Sequence, residues 1–110
     1  MALQTWFNKD SYSICLCNEK CEVGIINYRG YHDSTCYGDI GYVVYEKFRG
    51  NNYAYQSLCL LSEILKERGI NDFLISAEIK NIASNKTIQK YGGMLIDNVN
   101  GIYVYDCKTR

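Results

Sequence analysis

The junction Val44-Tyr45-Glu46-Lys47-Phe48-Arg49-Gly50-Asn51-Asn52-Tyr53-Ala54 holds the residues of this chain best suited to binding a ligand. A β-forming run ends there and a helical period begins. A glycine-containing turn that enters a helix directly leaves several N–H groups without intrahelical partners. Together with the positive end of the helix, they suit a phosphate or pyrophosphate. Gly50 lets ligand atoms approach the backbone, and Arg49 supplies a cation. The same residues also fit an ordinary strand-to-helix turn with a solvated arginine, so the junction taken alone leaves both readings open.

A second grouping has metal-binding residue types: Cys15, Cys17, Cys21 and Cys36, with His32 nearby. On a strand Cys15 and Cys17 would share a face. No paired CxxC spacing is present, and reduced cysteine commonly packs as a small apolar side chain. The balance favours packing, and no metal is expected.

The elements that must position the junction follow from periodicity. Residues 12–17 and 21–28 read as a hairpin, followed by a turn-rich segment from Arg29 to Gly38. Residues 39–45 form a third strand. From Tyr53 the apolar residues Ala54, Leu58, Leu61 and Leu65 recur every three or four positions, the stripe of an amphipathic helix that Gly69 ends. Residues 72–79 read as a buried strand. Asn81 caps a shorter helix to about Lys90, ended by Gly92 or Gly93. Strands near 94–97 and 102–107 flank the turn Asn98-Val99-Asn100-Gly101. The order β-β-β-α-β-α-β-β implies an α+β fold: a mixed, mostly antiparallel sheet with a central parallel pair and two helices packed on it.

Composition bounds the rest. The 110 residues suit a single domain spanning 1–110. Twelve basic side chains balance twelve acidic ones, so no overall positive field supports binding to nucleic acid. No apolar run approaches the roughly 20 residues that span a bilayer, and the first residues carry no signal-peptide pattern. The expectation is a cytoplasmic protein with reduced cysteines and no membrane partner.

With these elements in order, the chain resembles the GNAT (GCN5-related) N-acetyltransferase superfamily. Arg49 to Ala54 is similar to that family's pyrophosphate-binding R/Q-x-x-G-x-G/A signature. Asn81-Ile82-Ala83-Ser84-Asn85 through Gly92-Gly93 resembles its N-x-x-A/S segment, which ends at a glycine before the next strand. The likeness covers the chain from about residue 12 to its end. It implies acetyl-CoA as co-substrate, with the pantetheine arm lying where the third strand splays from the strand at 72–79. Main-chain groups of Val43 and Val44 would bond the arm. N–H groups of Arg49, Gly50, Asn51, Asn52, Tyr53 and Ala54 would hold the pyrophosphate. Asn81 and Ser84 would contact it from the far side.

Three features depart from the family pattern. Asn52 stands where the signature has glycine, a position expected to need left-handed geometry that asparagine tolerates. Ile88 stands where many members carry a tyrosine that protonates the leaving thiolate. Tyr91, three residues later, is the nearest replacement, or else an aromatic packed at the helix end. The chain also starts near the family's second strand, as a short form without the N-terminal strand and helices. Residues 1–11 with the 29–38 loop would then wall the acceptor site, or a second subunit would, which makes a homodimer plausible.

The resemblance implies direct transfer of an acetyl group to a primary amine of a small molecule or peptide. Asp39 and Glu78 are the carboxylates expected to serve as base, each equally suited to a solvated strand end. A backbone N–H near Val44 would meet the developing oxyanion. Tyr28, Arg29 and His32 would line the acceptor side. The alternative is a CoA-binding module, or a partner subunit, without catalysis.

Overall fold

The computed structural model describes residues 2–5, 11–16, 21–28 and 39–110. Four antiparallel strands stand in sequence order: β1 (Ala2–Thr5), β2 (Ser11–Cys15), β3 (Glu22–Tyr28) and β4 (Ile40–Val44). A single 3-10 turn, Glu46–Phe48, leads to helix α1 (Tyr53–Glu67). Strand β5 (Asp72–Glu78), helix α2 (Ile82–Tyr91) and the hairpin β6 (Met94–Val99) and β7 (Ile102–Lys108) follow. β7 lies between β5 and β6 in a second, antiparallel sheet.

The elements form where local pattern and burial agree. In β5 the buried residues Phe73, Ile75 and Ala77 alternate with more exposed ones, a period of two that puts one face into the core. In α1 the stripe of Leu58, Leu61 and Leu65 is completely buried. Gly69 follows in the left-handed region at φ +82°, which lets the chain leave the helix. Val23 and Ile26 of β3, with Tyr12 and Ile14 of β2, carry the same core into the first sheet. Asn100 and Gly101, at φ +50° and +80°, make a two-residue hairpin turn between β6 and β7.

One element departs from the sequence reading. Periodicity assigns nothing before residue 12, yet Ala2–Thr5 form β1 on the outer edge of β2, with Leu3 opposite Ile14. Four residues are too few for alternation to register, and pairing with a partner strand decides their state. The arginine, histidine and cysteine side chains of Arg29, His32, Cys17 and Cys36 lie outside the described residues.

The relationship that matters for a site is between β4 and β5. At the start of β4, Asp39 N–H donates to the Leu74 carbonyl (2.7 Å), and Leu74 N–H donates back to Asp39 Oδ2 (2.8 Å). Tyr42 to Val44 then share a cleft with Asn81 and Ser84, which follow β5. The two strands therefore run the same way, touch where Asp39 meets Leu74 and part towards their ends. The expected single sheet with a central parallel pair is corrected here: among the described residues the strands form two antiparallel sheets, and the Asp39–Leu74 bonds rather than a ladder join β4 to β5. β4 stays bonded to β3 throughout, and Tyr45 N–H still reaches the Val23 carbonyl (2.8 Å). Gly24, opposite Val44, has no side chain for a reason: a Cβ there would fall 2.2 Å from the Val43 carbonyl oxygen.

Candidate functional site

The parting of β4 from β5 opens a cleft of about 620 Å³, within the range typical of small-molecule sites. Tyr42, Val43 and Val44 line one side, and Asn81, Ala83, Ser84 and Thr87 the other. Phe48, Arg49, Gly50, Asn52, Tyr53 and Ala54 close the end that enters α1.

The loop has the backbone conformation of an anion cradle. Gly50 lies at φ +87° and Asn52 at φ +68°, with a residue between them, and such alternation turns successive N–H groups to one side. Asn52 is the N-cap of α1, but its side chain takes none of the first-turn N–H groups. Those donors are the ones an incoming anion would meet. Asn51 is not among the lining residues; its side-chain amide donates to the Phe48 carbonyl (3.1 Å) and braces the turn from outside. Arg49 Nε donates to the Val44 carbonyl (2.9 Å), which holds the guanidinium against the end of β4.

Asn81 works through its backbone neighbours. Its Oδ1 accepts from Ser84 N–H (3.2 Å), the cap that starts α2 beside the cleft. Asn85, one residue beyond Ser84, is buried. Its amide donates to the Glu78 and Asn81 carbonyls (2.9 and 2.8 Å), and its Oδ1 accepts from the Tyr105 hydroxyl (2.7 Å). This one side chain ties the end of β5, the start of α2 and β7 together.

Across the cleft, the Tyr42 hydroxyl lies 2.6 Å from Ser84 Oγ. Thr87, about one helical turn after Ser84, lines the same side of the cleft. Burial pushes the Tyr42 hydroxyl above its ordinary pKa, and the neighbouring Ser84 and Thr87 hydroxyls oppose that only in part. Sequence reasoning missed Tyr42, Phe48, Ala83 and Thr87. The available signal was periodicity: Tyr42 shares a strand face with Val44, and Thr87 shares a helix face with Ser84.

The three residues expected to move protons are not brought together, and none lines the cleft. Asp39 is only 4% exposed, and its carboxylate is the pin between β4 and β5 described above. Glu78 points to solvent, its side chain 62% exposed, 3.8 Å from Lys80 Nζ. Tyr91 is 3% exposed and packs with Phe73, their ring centres 5.7 Å apart. Its hydroxyl donates to the Lys108 carbonyl (2.6 Å) and lies 2.6 Å from Ser62 Oγ. The Arg110 guanidinium covers the ring at 4.2 Å and donates to the Tyr91 carbonyl. Of the two readings of Tyr91, the packing agrees with the aromatic at the end of α2 and not with a general acid beside the cleft. Ile88 is fully buried in the core, so its position on α2 faces away from the cleft. Among the described residues no group of three or more His, Cys, Asp or Glu is placed to hold a metal ion. Among them, too, no helix is long and apolar enough to cross a membrane.

The chain matches the family model described as the acetyltransferase (GNAT) domain over residues 1–94. Its fold is similar to that of a GNAT-family acetyltransferase from Bacillus anthracis, at 21% identity over 91% of this chain and 66% of that one, with a TM-score of 0.75. It is also similar to a GNAT-family acetyltransferase from Listeria monocytogenes, at 14% identity over 91% and 64%, with a TM-score of 0.72. A third is the ribosomal L7/L12 alpha-N-protein acetyltransferase RimL in complex with coenzyme A, at 26% identity over 89% and 60%, with a TM-score of 0.70. The chain spans less than two thirds of the length of each of these structures. No curated protein sequence matches it.

Proposed function

Because this chain belongs to the GNAT acetyltransferase domain family, we propose that it binds acetyl-CoA in the cleft beside β4 and transfers the acetyl group directly to a primary amine. The observation that carries the reading is the loop from Arg49 to Ala54. It combines two left-handed residues, an uncapped helix start and a cation at the end of an open cleft.

The residues present fit the co-substrate. The first-turn N–H groups of α1 and the loop amides would take the pyrophosphate, with Arg49 adding charge. The cleft between β4 and the start of α2, about 620 Å³, has the volume to take the pantetheine arm. Val44 offers its main-chain edge there, although Arg49 occupies its carbonyl when no ligand competes. Asn81 sets the position of α2, and Ser84 presents its hydroxyl to the cleft. An amine must be neutral to attack a thioester. With Asp39 committed to Leu74 and Glu78 turned to solvent, we assign that deprotonation to water on the acceptor side.

The absence of a carboxylate among the described residues lining the cleft favours one second reading, a CoA-binding module without turnover. Isothermal titration with acetyl-CoA, followed by a thioester-consumption assay over small amines, polyamines and peptides, separates the two. Micromolar binding with turnover of at least one amine is the expected result. Binding with silence across the panel would leave the module, and no binding would remove both.

A further inference from the structure

Moving an acyl group out of a thioester leaves a thiolate that must be met by a proton donor. Among the described residues lining the cleft, the hydroxyl groups belong to Tyr42, Tyr53, Ser84 and Thr87. Tyr53 sits in the first turn of α1, with the phosphate-binding loop. The other three form a cluster: Tyr42 on β4, and Ser84 and Thr87 on one face of α2. The Thr87 hydroxyl donates to the Ala83 carbonyl (3.0 Å). The Tyr42 hydroxyl is held by Ser84 at 2.6 Å, at a point two residues up the strand from Val44.

On the reading that the cleft takes acetyl-CoA, we propose that the Tyr42 hydroxyl protonates the departing thiolate and that Ser84 positions it. The amine nitrogen forms the new bond to the acyl carbon, the carbon–sulfur bond breaks, and its electron pair goes to sulfur. The phenolic proton moves to that sulfur. The tyrosinate then takes up, through water or Ser84, the proton the amine nitrogen has lost. Atoms and charge balance, and no further reactant is needed.

Three observations support Tyr42 over its neighbours. A phenol is far more acidic than an aliphatic alcohol, so among hydroxyls in contact it is the one able to release a proton to a thiolate. Burial raises its pKa above the ordinary value of 10.0, which favours the protonated form that a donor needs. Tyr91, the tyrosine of α2, is buried and does not line the cleft. The charged and titratable groups lining the same cleft are Arg49 and Tyr53; β3 offers Ile26 opposite Tyr42, and α2 offers only Ala83, Ser84 and Thr87 besides its cap.

The test uses binding, so no acceptor need be known. A hydroxyl that donates to sulfur stabilises the thiolate of bound CoA and lowers its pKa. For a free thiol near pKa 8.5, a one-unit depression tightens CoA about sixfold between pH 7 and pH 9. Titration with CoA and with desulfo-CoA, which lacks the sulfur, reads this directly. The expected result is a severalfold tightening for CoA alone in the wild type, lost in Tyr42→Phe and reduced in Ser84→Ala. Thermal melting of each variant checks that it is folded. Tyr42→Phe with the wild-type pH dependence overturns the role of Tyr42 alone. So does loss of that dependence in Ser84→Ala with Tyr42→Phe unaffected, which would make serine the donor. Failure of both ligands to bind the wild type overturns the acetyl-CoA reading itself.

Discussion

Arg49 Nε donates to the Val44 carbonyl at 2.9 Å, linking the cation of the loop to the last residue of β4. The bond has two consequences. It holds the guanidinium at the loop end of the cleft, and it satisfies a main-chain acceptor on the strand edge that a ligand amide would otherwise find open.

Arg49→Ala therefore removes a charged contact to an anionic ligand and frees the Val44 carbonyl. A hydrogen bond to a charged group is worth ~1.5–3 kcal/mol, so the affinity for acetyl-CoA is expected to fall by about 10- to 100-fold. Arg49→Lys keeps the charge but loses the planar fork and should recover only part of the loss. Titrations at low and high ionic strength check the charge component, which screening weakens.

Asn52 lies at φ +68°, where a β-branched side chain clashes with its own backbone. Asn52→Val is expected to cost about 1–2 kcal/mol of stability and to weaken acetyl-CoA binding by distorting the loop. Asn52→Gly removes the left-handed strain and should hold or improve affinity. Thermal melts with paired titrations distinguish the two effects; equal behaviour of both variants would contradict the role given to this conformation.

Asn85 is buried with its amide and carbonyl bonded to Glu78, Asn81 and Tyr105. Asn85→Leu is nearly isosteric yet strands two carbonyls and a tyrosine hydroxyl. Each unsatisfied buried group costs ~1–3 kcal/mol, so a loss of several kcal/mol is expected in denaturant unfolding. Asn85→Asp keeps the acceptor for Tyr105 and regains one donor when protonated, so in the same unfolding measurement it should lose less than Asn85→Leu as the pH falls.

Glu22 accepts from Ser13 Oγ (2.6 Å) and from the Tyr45 hydroxyl (2.5 Å), and these bonds hold its carboxyl below the ordinary pKa of 4.5. A folded-state pKa below the unfolded one contributes stability that is present above the unfolded value and lost as pH falls through the folded one. Glu22→Gln should thus lower the melting temperature at neutral pH. Wild type and variant should converge as the pH drops below about 4. Melting curves between pH 3 and 7 test this, and a constant gap across that range would rule it out.

Much of the fold was legible because local pattern and tertiary burial agree. The stripe of Leu58, Leu61 and Leu65, the alternation of Phe73, Ile75 and Ala77, and the Asn100-Gly101 turn each announce an element from a few residues. The glycine-containing loop was legible for the same reason, since positive φ and an open helix start are properties of the local chain. The left-handed geometry of Asn52 is what the resemblance implied, because the signature it resembles has glycine at that position and asparagine tolerates the same conformation. β1 was not legible, because a four-residue strand depends on the partner edge that β2 supplies.

The roles of Asp39, Tyr91 and Tyr42 lay beyond the sequence. Each is a titratable residue near a motif, and sequence distance treats the three alike. Only the packed structure shows Asp39 closing the joint between β4 and β5, Tyr91 sealed between Phe73 and Arg110, and Tyr42 facing Ser84 across the cleft. The sequence by itself determined the elements, the loop and the family likeness, because those depend on residues close together in the chain. Tertiary structure decided which hydroxyls and carboxylates are free to do chemistry. A side chain's proton is committed by whatever touches it, and its neighbours here come from strands and helices as much as 42 residues apart.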